Sequence, residues 1–239
     1  MIAKVASGTR VYAIGDIHGR LDLLTRLEAI IEADLARSRP ARTVAVYLGD
    51  YVDRGQDSRG VLDHLLDHPL PVDEIVHLLG NHEDVMCQFL ADAWVGENWI
   101  RFGGRETLAS YGVAPDPELP LQEWLVQAQE AFVRAMPERH LAFLEGLPLR
   151  HEEDGYLFVH AGVRPRIPLD RQRRHDLLWI RHEFLDSEAD HGRVIVHGHS
   201  ISSEPEIRAN RIGIDTGAFM SGRLTAVALE GGERRFLST

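Results

Sequence analysis

The sequence predicts an α/β fold, and three observations carry this prediction. In the first third of the 239-residue chain, short apolar runs that end in Gly or Asp alternate with segments of helical periodicity. Uninterrupted apolar runs of this length are typical of strands that are buried on both faces of a sheet. Further strand-like runs return in the second half, after a stretch that shows only helix-like spacing. The chain is therefore predicted to run β-α-β-α-β and then to become more β-rich.

The first third contains three predicted strands and two predicted helices. The first helix must end before Pro40, because proline disfavours helical backbone in the residue before it. Ser58 is the expected N-cap of the second helix. In chain order these elements are strand Arg10–Ile14, helix Leu21–Leu35, strand Thr43–Leu48, helix Ser58–Leu66 and strand Glu74–Leu79.

From about Met86 to Gly146 the strand signal disappears, and large apolar residues recur at helix-like spacing between prolines. We interpret residues 86–146 as a helical insert within a single domain that spans residues 1–239, since no Pro/Gly/Ser-rich linker marks a boundary. The later strands are predicted at Tyr156–Val159, Val194–Val196, Ile212–Ile214, Leu224–Leu229 and Arg234–Leu237.

Composition excludes several classes of protein. Asp and Glu number 37 against 26 Lys and Arg, so the formal net charge is −11 and no global positive field exists to hold a nucleic acid or an anionic membrane. No apolar stretch approaches the roughly 18 residues that a membrane helix needs. Cys87 is the only cysteine, which excludes an internal disulfide and makes the cytoplasm the expected location.

Acidic and imidazole side chains follow successive predicted strands, at the edge where α/β proteins commonly bind ligands. Asp16 and His18 are two residues apart, so in an extended segment both side chains reach one cation. Asp50 has two carboxylate oxygens and is able to bridge two cations, whose charge would attract a phosphate group. The six predicted metal ligands are Asp16, His18, Asp50, Asn81, His160 and His199.

Five segments together resemble a known family. They are Gly15-Asp16-Ile17-His18-Gly19, Gly49-Asp50-Tyr51-Val52-Asp53-Arg54-Gly55, Gly80-Asn81-His82-Glu83, His160-Ala161-Gly162 and Gly198-His199. In this order they resemble the calcineurin-like metallophosphoesterases, and within them the phosphoprotein phosphatase branch, which includes bacterial Ser/Thr phosphatases and diadenosine tetraphosphatases. The resemblance implies an α/β/β/α sandwich of two mixed sheets with a helical insert.

The resemblance also implies roles for individual residues. Asp16, His18 and Asp50 would hold one metal ion, and Asp50, Asn81, His160 and His199 would hold a second. His82 would protonate the leaving oxygen while Asp53 orients it, and Arg54 would bind the phosphate. A second phosphate-binding arginine is expected at Arg181, with Arg164 and Arg166 as alternatives, and His197 is expected behind the ligands. Hydroxide held between the metals would attack phosphorus without a phospho-enzyme.

Three functions remain open at this point. A phosphatase acting on phosphoserine or phosphothreonine proteins is expected first, a hydrolase of dinucleoside polyphosphates second, and a non-catalytic scaffold of the same fold third. Manganese is the expected metal, with iron and zinc as alternatives. The physiological substrate, the oligomeric state and any regulator stay undetermined.

The insert and the remaining histidines complete these expectations. The insert should set substrate choice, because its aromatic and basic residues suit a peptide flank or an adenine nucleotide; these residues are Trp94, Trp99, Arg101, Phe102 and Arg105. The other histidines lie in polar sequence and are expected in solvent; they are His64, His68, His77, His140, His151, His175, His182 and His191.

Overall fold

The computed structural model describes residues 3–239, and its strands form two mixed sheets of five strands each. The strands are β1 (Thr9–Ile14), β2 (Arg42–Tyr47), β3 (Glu74–His77), β4 (Arg150–Glu153), β5 (Tyr156–Val159), β6 (Val194–His197), β7 (Glu206–Ile207), β8 (Arg211–Gly213), β9 (Thr225–Glu230) and β10 (Glu233–Ser238). The α-helices are α1 (Leu21–Arg37), α2 (Ser58–Asp67), α3 (Asn81–Ala91), α4 (Gly96–Trp99), α5 (Gly104–Ser110), α6 (Leu121–Ala135), α7 (Glu138–Glu145), α8 (Arg174–Trp179), α9 (His182–Leu185) and α10 (Ala218–Ser221).

Each sheet contains three neighbouring parallel strands, with antiparallel strands on one side of them in the first sheet and on both sides in the second. The first sheet has the order β10-β9-β1-β2-β3, in which β1, β2 and β3 are parallel while β9 runs antiparallel to both β1 and β10. The second has the order β4-β5-β6-β8-β7, with β5, β6 and β8 parallel. Parallel strands end at the same edge of a sheet, so the loops after β1, β2 and β3 are neighbours, as are those after β5 and β6.

Successive residues of each strand point to opposite faces of its sheet, and the two faces pack against different layers, so the fold has four layers. Val11 and Val44 of the first sheet share one buried apolar cluster with Phe158 and Val196 of the second, so the two sheets pack face to face. The opposite face of the first sheet packs on α1, α2 and the helices between β3 and β4. The outer face of the second packs on α8 and α9. This is the expected α/β/β/α arrangement of two mixed sheets.

Between β3 and β4 the described residues form helices and turns only. The interpretation of residues 86–146 as an insert within one domain stays a prediction. No helix among residues 3–239 is both long enough and apolar enough to cross a bilayer.

The structure corrects some local predictions. Asp57, and not Ser58, caps α2, because its carboxylate accepts the N–H of Gly60 at 2.8 Å. The Ser58 hydroxyl instead accepts the N–H of Asp53 at 3.0 Å. His140, expected in solvent, is fully buried with Nδ1 2.8 Å from the Tyr111 hydroxyl.

Candidate active site

Loops at the carboxyl ends of five strands bring the six predicted metal ligands together. Asp16 and His18 follow β1, Asp50 follows β2 and Asn81 opens α3 after β3. His160 follows β5 and His199 follows β6, so the second sheet contributes the remaining two. All six side chains are buried.

Asp50 lies at the centre of this group. Its Oδ2 is 3.5 Å from Nε2 of His18, and its Oδ1 is 3.4 Å from Nε2 of His160. It therefore belongs to two groups of closely spaced ligand atoms, one with His18 and His82 and one with His160 and His199. A carboxylate shared in this way suits a bridge between two cations.

Asn81 and Asp16 connect the two sheets at this centre. The Oδ1 of Asn81 is 2.8 Å from both Nε2 of His160 and Nδ1 of His199. Asp16 Oδ2 accepts the N–H of His199 at 3.0 Å. A side chain on Gly198 would collide with Asp16 Oδ1, so only glycine allows the β6 loop to come this close.

The donor set fits divalent metal ions. Among residues 3–239, the buried Oδ1 of Asp16 and Nε2 of His199 have no hydrogen-bond partner, which leaves both free to bind a cation. Burial lowers the pKa of His18 to about 3 and that of His199 to about 2, so these imidazoles are neutral, as metal ligation requires. Oxygen and imidazole donors suit manganese, iron and zinc.

His82 is held by a hydrogen-bond chain that starts in the helices between β3 and β4. Its Nδ1 is 2.6 Å from Oδ2 of Asp53. Asp53 in turn accepts hydrogen bonds from Nε1 of Trp99 at 2.8 Å and from the hydroxyl of Thr107 at 2.6 Å. Burial alone would lower the pKa of His82, but the carboxylates of Asp50 and Asp53 outweigh it and raise that pKa.

Two arginines border the cavity above these ligands. The Nη2 of Arg54 is 3.2 Å from Nε2 of His82, and the Arg54 guanidinium stacks on the Phe219 ring at 4.6 Å. Arg181 is exposed and lines the same cavity.

The alternatives to Arg181 lie elsewhere. Arg164 is engaged by Asp176 at 2.7 Å and faces Glu183 at 3.6 Å. Arg166 does not line the cavity. His197, expected behind the ligands, is buried with Nδ1 3.0 Å from the Gly198 carbonyl oxygen and Nε2 3.4 Å from Arg211.

A buried carboxylate organises the backbone around Asp50. Glu83 Oε2 accepts the N–H groups of Asp50 at 2.8 Å and Gly80 at 3.0 Å, and Oε1 accepts those of Tyr51 at 2.8 Å and Val52 at 3.1 Å. Burial and the charge of Asp50 raise the pKa of Glu83, while the N–H donors oppose this shift. Because the groups bound to both oxygens are all donors, the geometry favours the ionised carboxylate.

Left-handed backbone is concentrated at the site. Seven non-glycine residues among those described have positive φ, and five of them are His18, Asp50, Asp53, Arg54 and His199. Each such residue costs of order 1 kcal/mol or more and persists only where its surroundings fix it. The hydrogen bonds of Glu83 and Asp53 supply part of that support.

A cavity of about 210 Å³ opens over Asp50 and His82. Its wall includes the aromatic rings of Phe102, from the segment after α4, and Trp179, from the end of α8, together with Arg181. Phe102 is 61% exposed and Trp179 is 38% exposed, which is unusual for large aromatic side chains. The cavity therefore combines cationic groups with uncovered aromatic surface.

The residues expected to set substrate choice divide into two groups. Trp99 and Phe102 line the cavity. Trp94 is exposed away from it, Arg101 is 3.5 Å from Glu97, and Arg105 stacks on the Trp124 ring at 5.3 Å.

Several residues of the site were not predicted. Trp99 was expected only as a residue that sets substrate choice, and Thr107 had no assigned role; their hydrogen bonds to Asp53 span a long sequence separation that no local pattern marks. Glu83 was visible as the last residue of a matched segment but had no assigned role. Asp215 is buried near Asp16 and Asp50, and burial raises its pKa to about 6.

Comparison with known proteins shows the family to which the chain belongs. The calcineurin-like phosphoesterase family model matches residues 9–217. The chain is 28% identical over 242 residues to an asymmetrical bis(5'-nucleosyl)-tetraphosphatase, PrpE, of Anoxybacillus flavithermus, and the match covers 90% of this chain and 88% of that protein.

Solved structures share the fold. The crystal structure of a candidate diadenosine tetraphosphatase superposes on this chain with a TM-score of 0.61 at 22% identity. The match covers 99% of this chain and 98% of that chain. A protein serine/threonine phosphatase from Saccharomyces cerevisiae has a TM-score of 0.53 at 13% identity, with coverage of 98% of this chain and 80% of that chain. With the family model matched from β1 to the segment after β8, this chain belongs to the calcineurin-like phosphoesterases, a family of metal-dependent hydrolases of phosphate esters.

Proposed function

We propose that this phosphoesterase hydrolyses dinucleoside polyphosphates. The observation that carries the proposal is the cavity in which Phe102 and Trp179 stand beside Arg54, Arg181 and the ligand cluster. Uncovered aromatic rings bind nucleobases by stacking, and guanidinium groups match phosphate oxygens. The named activity of the PrpE relative is of the same kind, which supports the proposal independently.

We assign the metal ligands as the sequence predicts. Asp16, His18 and Asp50 would hold one divalent cation, and Asp50, Asn81, His160 and His199 the other, with manganese expected. When bound, the two cations would activate water and offset charge on the phosphate oxygens. Elemental analysis of purified protein loaded with manganese should find two ions, and Asp50→Asn should bind one or none.

The chain's own residues would perform the proton transfer and the phosphate binding. Asp53 fixes Nδ1 of His82, so Nε2 is the atom that donates a proton to the leaving oxygen as the P–O bond breaks. The Asp53 carboxylate beside Nδ1 stabilises the protonated imidazole that this step needs. Arg54 and Arg181 would bind the phosphoryl oxygens as charge develops on them.

A phosphoserine or phosphothreonine protein is the second candidate substrate. Arg181 and Phe102 lie at the protein surface, where residues flanking a phosphorylated side chain are able to reach them. The fold similarity to a serine/threonine phosphatase is compatible with this reading but does not favour it over nucleotides. The single cysteine, Cys87, is compatible with either activity in a reducing cytoplasm.

A parallel turnover assay tests the proposal. Diadenosine tetraphosphate, a phosphoserine peptide, a phosphotyrosine peptide and p-nitrophenyl phosphate are compared with added manganese, in the native enzyme and in Phe102→Ala and Trp179→Ala. Each aromatic truncation should raise KM for diadenosine tetraphosphate by roughly 5- to 100-fold, the equivalent of one lost stacking contact.

Trp94→Ala is the matched control, since Trp94 is 64% exposed and does not line the cavity. It should leave KM for diadenosine tetraphosphate unchanged. A native enzyme with higher kcat/KM for the phosphoserine peptide than for diadenosine tetraphosphate would replace the proposal with the second candidate.

A further inference from the structure

Residues 164–181 form a strongly basic segment in an acidic chain. The segment contains two aspartates, Asp170 and Asp176, against six arginines, whereas the whole chain has a formal net charge of −11. The arginines are Arg164, Arg166, Arg171, Arg173, Arg174 and Arg181. A local excess of positive charge against the sign of the whole protein is a candidate anion-binding surface.

Among residues 3–239, four guanidinium groups of this segment have no ion-pair partner; those of Arg166 and Arg181 lie towards its ends and the other two near its middle. Arg164 forms an ion pair with Asp176 at 2.7 Å, and Arg174 forms one with Asp84 at 2.6 Å, so neither is free to bind another anion. Arg171 and Arg173 are exposed and form no ion pair with any residue from 3 to 239.

This basic surface and the cavity of the candidate site lie at opposite ends of α8. Arg171 and Arg173 line a surface depression of about 660 Å³ at the start of α8, and Trp179 at the end of the same helix lines the cavity. Six helical residues span about 9 Å. Arg174 contacts Asp84, the neighbour of cavity-lining Val85, so α8 is fastened to the rim of the cavity.

We infer that Arg171 and Arg173, named here the arginine band, bind phosphate groups of a substrate that extend beyond the metal ligands. The inference rests on the proposed function, because a dinucleoside polyphosphate is an anion too long for the 210 Å³ cavity to hold entirely. Guanidinium groups bind phosphate oxygens through paired N–H donors, and the band has no carboxylate partner to compete. The ligand class is therefore a nucleoside polyphosphate chain.

The test measures how inhibition depends on the number of phosphates. AMP, ADP, ATP and adenosine 5'-tetraphosphate are used as competitors of p-nitrophenyl phosphate turnover at fixed free manganese. In the native enzyme Ki should fall as the number of phosphates in the competitor rises. In Arg171→Ala/Arg173→Ala, Ki for the tetraphosphate should rise by about 3- to 30-fold at low salt, with a smaller change for AMP.

Arg37→Ala/Arg134→Ala is the matched control, since it removes two exposed arginines from α1 and α6 and changes the net charge equally. It should leave the whole Ki series unchanged. In the native enzyme the difference in Ki between AMP and the longer inhibitors should also decrease as the salt concentration is raised, because exposed charges are screened.

Two results would overturn the inference: identical Ki series in the native and band variants, or an equal loss for AMP and for the tetraphosphate. Failure of the native enzyme to cleave diadenosine tetraphosphate would overturn the proposed function instead. The Ki series would still decide on the arginine band, since it requires no cleavage of the competitor.

Discussion

Replacing Glu83 with glutamine should destabilise both the fold and the metal centre. The two oxygens of Glu83 accept four buried backbone N–H groups, those of Asp50, Tyr51, Val52 and Gly80. A glutamine amide has one oxygen, so it accepts from two of these groups and turns its own N–H groups toward the other two. Each buried donor left without a partner costs about 1–3 kcal/mol.

Two unsatisfied donors therefore lower the free energy of unfolding by about 2–6 kcal/mol. This is a large part of the total of about 5–15 kcal/mol that is usual for a folded domain. Because one of the released N–H groups is close to the Asp50 ligand on either amide orientation, manganese affinity should fall as well. Glu83→Ala would leave all four donors unpaired and is expected not to fold.

Urea unfolding followed by circular dichroism, together with calorimetric titration of manganese, measures both effects. Glu32→Gln provides the control, since Glu32 lies exposed on α1 and should give native values. A Glu83→Gln protein with native unfolding free energy and native manganese affinity would refute the role assigned to these four hydrogen bonds.

Three further predictions follow from the site and from one buried histidine. His82→Asn should lower kcat on diadenosine tetraphosphate by about 10²–10⁴, and less on p-nitrophenyl phosphate, whose leaving group needs the proton less; equal losses in steady-state assays would argue against a proton donor. Arg181→Ala should reduce kcat/KM by about 10- to 100-fold, as expected for a lost charged hydrogen bond, whereas Arg164→Ala, whose guanidinium is held by Asp176, should change it little. Burial lowers the pKa of His77 to about 4, below about 6.5 in an unfolded chain, so on acidification the unfolded state takes up the proton first. Stability should therefore fall by up to about 1.4 kcal/mol per pH unit between these values, and urea unfolding at pH 7 and pH 5 should show a smaller loss for His77→Phe.

The sequence predicted the elements whose causes are local. Apolar runs such as Thr43–Leu48 mark central strands because both faces of those strands are buried, and the polar residues that follow them mark the ligand edge. The edge strands of the second sheet, β4 and β7, were missed because they contain no such apolar run. β4 (Arg150–Glu153) consists of Arg, His and Glu residues. It pairs with β5 through backbone hydrogen bonds, which an apolar sequence pattern does not predict.

Long-range contacts explain the remaining differences. His140 was expected in solvent because its sequence neighbours are polar, yet the turn before α7 places it between Tyr111 and Asp63. The contact of Trp99 with Asp53 likewise joins residues from separate elements. Such pairs are determined by how helices pack and not by the residues beside them in sequence.

The hydrogen bonds from Trp99 and Thr107 to Asp53 have a consequence for the evolution and redesign of this enzyme. They make the helical stretch between β3 and β4 part of the support of His82, the proposed proton donor, and the Gly103 carbonyl oxygen in the same stretch accepts the N–H of Arg54 at 3.3 Å. Exchanging that stretch for one from another phosphoesterase would therefore change catalysis on every substrate, including the smallest. If His82 is the proton donor, a chimera of this enzyme should keep its activity only where the incoming helices supply an indole-like and a hydroxyl donor to Asp53 at the same two places.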